Sequence, residues 1–363
     1  MKRTRYNTGI VFSTLVAGML LIASQLAFAQ GGFKPPVNLN TNQSTTPSLN
    51  DSYTEEAWLV YTYDIGTDGV VANLQIHSSN GVPAVESAIV AQVSSLRYSP
   101  AMRGNNPVKV TVGPIFYTWI LDKPRVMSAA FTSQYQVAWD YFGQDNYDAA
   151  FDVAAKLKDL PGRNAFEEVK FQTLAASLAN RWDDSAAELQ HLSRALEFQG
   201  LADRNNFDNP YIESGQLLLM MERVHALQLQ KMMVGDAEVT LRKIQLLGPG
   251  SDVSNRAGAA HDAALLAFRA NPDVTIDGEL TPIYRNGPGA WETRLSRNLF
   301  SLTNARGNVD SVLLDCLQGN RNLPYPALDP WKIPPGWSEC KLEVSGKAGS
   351  RFVIHQLDAQ RAR

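Results

Sequence analysis

The spacing of apolar positions changes twice along the 363-residue chain, and each change marks a new kind of structure. Residues 58–66 form a β-branched and aromatic run, which Thr67-Asp68-Gly69 turns, because Asp-Gly tolerates the positive φ of a tight hairpin. Residues 70–77 return as a second strand that Ser78-Ser79-Asn80-Gly81 ends. Over 83–96 the period becomes helical, with Val85, Ala88, Ile89, Gln92 and Val93 on one face. Tyr98-Ser99-Pro100-Ala101 leads out, Gly104 to Pro107 turns, and 108–120 reads as a long closing strand.

From 128 to 271 the period stays helical. Tyr135, Ala138, Trp139 and Phe142 form a stripe that ends at Gly143, and a second helix begins at Tyr147 with Phe151, Ala154 and Leu157 expected on its inner face. Some 35 residues later the theme recurs: Phe171, Leu174, Ala175 and Leu178 make a stripe, Asn180-Arg181-Trp182 turns, and 185–196 supplies the partner helix. This spacing resembles degenerate tetratricopeptide-like repeats, with Ala138, Tyr141 and Ala150 at the small-large-small positions. Helices over 211–233 and 236–247 would make a longer third hairpin, and 251–270 a last helix. The pairs Met220-Met221 and Met232-Met233 suit core filling better than a soft binding groove. Stacked helical pairs leave a concave face of the kind that binds polypeptide.

Beyond 280 the pattern alternates again. Residues 294–303 and 309–316 are expected to pair as a hairpin across Asn304 to Gly307, and 340–345 with 351–357 across Gly346 to Gly349. Alternation places Cys316 with Val312 and Leu314, and Cys340 with Leu342 and Val344, so both cysteines belong to inward sets and suit a strand-bridging disulfide. Between them a proline-rich loop holds Tyr325, Trp331 and Trp337, which could stack on a sugar or peptide but more simply pack over an open sheet face. These strands read as a small β-sandwich.

The ordered series Asp68-Gly69, Ser78-Ser79-Asn80-Gly81, Tyr98-Ser99-Pro100-Ala101, Gly104 and Pro107-Val108 resembles the C-terminal domain of TonB-type energy transducers over residues 55–121. The Tyr-Pro entry motif usual in that family is missing, and a large body follows the domain rather than preceding it. The resemblance implies a three-stranded antiparallel sheet with one helix, whose last strand receives an extended peptide of an outer-membrane receptor. The residues it singles out on that edge are Val108, Val110, Val112, Ile115, Tyr117 and Trp119. A long apolar sheet edge invites strand addition on physical grounds as well.

Residues 1–29 have the chemistry of an export signal: Lys2, Arg3 and Arg5, then a short apolar stretch, then Ala27-Phe28-Ala29. Cleavage gives a periplasmic protein; retention of 10–29 would give an inner-membrane anchor instead. Residues 30–54, rich in Asn, Thr, Ser, Gly and Pro, read as a flexible leader. The formal net charge of −3 disfavours nucleic acid as a partner. An oxidising compartment favours a bridge between the two cysteines.

Catalytic chemistry has little support. The five histidines show no His-Glu-x-x-His spacing, and no Cys-x-x-Cys, phosphate-cradling loop or Gly-x-Ser-x-Gly elbow occurs. His77 reads as a solvated strand residue, and His261-Asp262 as neighbours that diverge on a helix. Asp64 to Gly69 superficially resembles a calcium loop, but glycine and glutamine stand where oxygen ligands belong. The sequence thus predicts a non-enzymatic α+β multidomain protein without metal or cofactor. Its domains are a TonB-C-terminal-like domain at 55–124, helical repeats at 128–271 and a disulfide-linked β domain at 280–359. Its expected partner is an envelope protein or peptide; a structural scaffold with the edge covered and a cell-wall carbohydrate-binding protein are the alternatives.

Overall fold

The computed structural model describes residues 33–34, 36–40, 56–103, 106–119, 126–204, 210–282 and 289–358. The expected export segment at 1–29 and the closing residues 122–124 lie outside them. The described part is mixed α+β, with eight helices, several small antiparallel sheets and one disulfide. It divides into two compact units, one within Leu121–Glu213 and the other comprising Gln30–Ile120 together with Ser214–Arg363.

In the second of these, β1 (Phe33–Lys34) and β2 (Val37–Asn38) fall inside the expected leader. They are followed by β3 (Ala57–Ile65), β4 (Val71–Ser79), α1 (Pro83–Ser95), β5 (Tyr98–Ser99), β6 (Ala101–Arg103), β7 (Asn106–Val108) and β8 (Val110–Trp119). Residues 33–34 and 37–39 are held by backbone pairing, which composition does not reveal: β1 pairs with β6, β2 with β5, and the Leu39 N–H donates to Arg97 O at 2.8 Å. The main sheet has the order β4-β3-β8, all antiparallel. Val85, Ile89 and Val93 of α1 pack on Leu59, Tyr61, Tyr63 and Ile65 of β3. The alternate residues of β3, Trp58, Val60, Thr62 and Asp64, are buried too, so both faces of the central strand are covered.

The motif residues act as joints in this part. Gly69 turns the hairpin at φ +78°, and a Cβ there would lie 1.9 Å from Tyr98 O, so only glycine fits. Buried Asn80 donates to Glu56 O at 2.7 Å and accepts from Trp58 N at 3.1 Å, fixing the start of β3. The Ser79 hydroxyl accepts from Gly81 N and donates to Glu86 in the first turn of α1.

The other unit is helical: α2 (Ala129–Gly143), α3 (Tyr147–Lys158), α4 (Ala165–Arg181) and α5 (Ser185–Arg204). Ser128, Asn146 and Asn164 cap the first three, and Asn164 forms a reciprocal capping box with Glu167. Phe131, Ala138, Ala150, Ala154, Leu157, Phe171, Leu174 and Leu178 share one core. Phe151 is the exception to the expected inner face. It is 52% exposed, because Ala150, Ala154 and Leu157, at i, i+4 and i+7, already form the buried stripe, and position 151 lies about 100° away from it.

The remaining helices, α6 (Ser214–Gln230), α7 (Val234–Leu247) and α8 (Asp252–Ala270), precede the strands β9 (Asp273–Glu279), β10 (Thr281–Pro282), β11 (Gly289–Arg294), β12 (Leu299–Arg306), β13 (Val309–Cys316), β14 (Gly319–Leu323), β15 (Trp331–Lys332), β16 (Lys341–Gly346) and β17 (Arg351–Leu357). The strands begin at Asp273, seven residues before the expected 280, and Val274 and Ile276 of β9 point inward. One sheet has the order β10-β11-β16-β13-β14 and the other β15-β12-β17-β9. Both expected hairpins are therefore corrected: β12 and β13 lie in different sheets, as do β16 and β17. Each tight connection crosses from one sheet to the other, and Trp291 of β11 meets Phe352 of β17 edge to face at 5.2 Å.

Two polar clamps fasten these helices to the strands. Asp236 at the start of α7 accepts from the Thr293 hydroxyl at 2.7 Å and from Arg294 N at 3.1 Å, and Gly235 is bare because a Cβ would meet Arg294 at 2.9 Å. The Arg297 guanidinium donates to the carbonyls of Phe268 and Asn271 at the end of α8 and of Pro272 and Gln356, while lying over the Phe268 ring. The fork thereby satisfies helix-end carbonyls left without partners in the helix.

Candidate functional site

The outer flank of β8 is the candidate. In the order β4-β3-β8 this ten-residue strand lies at the rim, paired with β3 from Ala57↔Trp119 to Ile65↔Val110. Its register slips between Tyr61↔Ile115 and Tyr63↔Val112, so β8 carries one extra residue at Gly113–Pro114. The extra residue resets the alternation. Val110, Val112, Ile115, Tyr117 and Trp119 all face the α1 side and pack on its core. Without the bulge, one set would have flipped to the other face.

This placement changes what the predicted residues can do. Val110, Val112, Ile115, Tyr117 and Trp119 are core-facing side chains, so a visiting strand would meet the backbone of β8 rather than these rings and branches. Val108 lies outside β8, in β7, paired with Ala101 of β6. At the hairpin end Asp64 joins three strands: its carboxylate accepts from Asn73 Nδ2 at 2.8 Å and Thr111 Oγ1 at 2.7 Å, with Lys109 Nζ at 2.7 Å. Burial pushes this carboxyl upward, but the bonds from Lys109, Asn73 and Thr111 outweigh it and hold it below its ordinary value. The residues once comparable to a calcium loop are thus committed to a hairpin. The Tyr63 hydroxyl meets that of Tyr98 at 2.7 Å, and burial raises the Tyr63 phenol well above its usual range.

The three C-terminal aromatics are not exposed together. Trp331 is buried with its ring against Phe300 at 5.6 Å, leaving no face for a sugar, while Tyr325 and Trp337 are half-buried. Cys316 and Cys340 are joined, Cα to Cα at 4.0 Å, opposite one another beside the pair Asp315↔Lys341. The bridge links neighbouring strands of one sheet.

Two buried polar groupings escaped the sequence. In the α2–α5 unit Arg163 donates to the carbonyls of Leu157 and Lys158 and pairs with Glu168 at 2.7 Å. Glu168 accepts from Gln172 Nε2, whose Oε1 lies 2.7 Å from His191 Nδ1. Since that oxygen can only accept, Nδ1 of His191 carries the proton. Elsewhere, buried His225 on α6 and His261 on α8 face each other, Nε2 to Nδ1 at 3.4 Å. Burial, with His261 beside it, brings the His225 imidazole down to about 4, against the pull of Glu222. Partners 36 residues apart on separate helices leave no spacing signal. Among the described residues no three His, Cys, Asp or Glu side chains converge to hold a metal, and the His77 side chain lies outside those described. No helix among them is long and apolar enough to cross a membrane.

No family model matches the chain. No curated protein matches it either.

Proposed function

We propose that the chain is a non-enzymatic interaction protein of the cell envelope that captures an extended polypeptide by strand addition at β8, with helical repeats as a second contact surface. The observation that carries this reading is a ten-residue strand at the rim of the β4-β3-β8 sheet. Edges of this kind present a row of backbone donors and acceptors to another chain. The ordered motifs resembling a TonB-type C-terminal domain support the same mode, and a role accessory to outer-membrane transport follows from that resemblance. The disulfide suits the oxidising periplasm.

A photo-crosslinker at Thr118 in intact cells tests it. Adducts with an envelope protein are expected. Their absence, together with slow amide exchange throughout β8 in the isolated protein, would sink the proposal. A second reading has its own observation: the Gly113–Pro114 bulge interrupts the rim, a device that also protects edges against pairing. On that reading the protein is a scaffold, and slow exchange along β8 is its signature.

A further inference from the structure

In the α2–α5 unit, Phe151 on α3 and Trp182 at the end of α4 touch edge to face, ring centroids 5.3 Å apart, yet are 52% and 45% exposed. Large rings already paired with each other and still half in solvent are the composition of an interaction anchor rather than of a finished core. Acidic residues outnumber basic ones around them. Asp148 lies one turn before Phe151 on the same helix, Asp152 follows it, and Asp183 follows Trp182; all three are exposed. None of the three carboxylates accepts a hydrogen bond or pairs with a cation within 4 Å among the described residues, whereas those of Asp145 and Asp184 are spent on Tyr147 and Ala187 N. Of the nearby cations, Arg181 already lies over the Phe142 and Tyr147 rings at 5.5 and 5.4 Å, and Lys156 follows Asp152 by one turn.

We propose that the Phe151–Trp182 corner, with Asp148, Asp152 and Asp183, binds a basic polypeptide segment in which lysine or arginine alternates with apolar residues. The apolar residues would cover the rings. The cations would meet π faces and uncommitted carboxylates together, as Arg181 already meets two rings of the same unit. This rests on the helical contact surface of the proposed function and not on the β8 rim, so either can fail alone.

The test is titration of the full chain with a fluorescein-labelled decapeptide of alternating leucine and lysine, and with its leucine–glutamate counterpart. The lysine peptide is expected to bind, weakening at least tenfold with Phe151→Ala/Trp182→Ala and several-fold with Asp148→Asn/Asp152→Asn/Asp183→Asn, while the glutamate peptide does not. Helical circular dichroism of both variants should match the parent, since the changed side chains are exposed. Equal binding of the two peptides, no binding by the parent, or undiminished binding by the ring variant would overturn the proposal. That last result would leave the β8 reading intact. Self-association abolished by Trp182→Ala without peptide binding would assign the corner to a second copy and overturn it equally.

Discussion

Asn80 holds both a carbonyl and an N–H of the chain entering β3, and both of those groups are buried with it. Asn80→Ala strands them without water, so we expect a loss of about 2 kcal/mol, read as a lower urea midpoint with unchanged slope. Arg297 makes a parallel case at the end of α8, where four carbonyls converge on one guanidinium. Arg297→Ala should destabilise by about 2–3 kcal/mol, and Arg297→Lys should recover little, because an ammonium has no planar fork to span them. Equal stability of the lysine variant in thermal melts would show that charge, not geometry, matters there. Neither role shows in the sequence: the Asn of the Ser-Ser-Asn-Gly turn and a lone Arg in a loop become clamps only once distant carbonyls arrive.

The helices were legible because burial repeats every three to four residues, and α1 and α3 begin at Pro83 and Tyr147, where that pattern places them. Phe151 was misread because an aromatic outranks alanine in any hydrophobic scan, while the tight packing of α3 selects the small Ala150 and Ala154. The strands of the C-terminal module were visible, but not their partners. The turns at Asn304 to Gly307 and Gly346 to Gly349 have the same composition whether the chain doubles back in one sheet or crosses to another. Alternation along β12, β13, β16 and β17 fits both. The β8 rim was legible as a strand but not its bulge, which only the register against β3 exposes. The α6–α8 seam carries a pH consequence. His225 titrates lower in the folded state than in the unfolded chain, so unfolding takes up protons and stability is present at neutral pH and lost as pH falls from about 6.5 toward 4. The groups facing it are His261 on α8 and Glu222 on its own helix, the latter held by Arg256 of α8 at 2.8 Å. A drop from the ordinary value to about 4 makes the effect on the order of 2 kcal/mol at pH 5. Urea midpoints at pH 7.5 and pH 5 check it, and His225→Gln should flatten the difference.

The two units of the molecule should respond differently to reductant. Cys316–Cys340 closes a loop of sequence separation 24, so reduction is expected to lower the stability of the strand-rich module by about 3 kcal/mol on the chain-entropy estimate. The α2–α5 unit holds neither cysteine and should melt unchanged; a matching shift in both, followed by calorimetry with and without reductant, would mean that they unfold as one. Size and composition suggested several domains, yet the helical stretch expected as one is split at Glu213–Ser214, with α6–α8 joined to the strands by Asp236 and Arg297. The misplaced residue pair at Gly113–Pro114 has a consequence for ligand length. A docking chain can zip continuously only along Val110 to Val112 or along Ile115 to Trp119, because Pro114 offers no N–H and the slip breaks step between them. If β8 adds a strand as proposed, its ligand should be short, with a recognition word of about five residues, and lengthening it past the kink should add almost no grip.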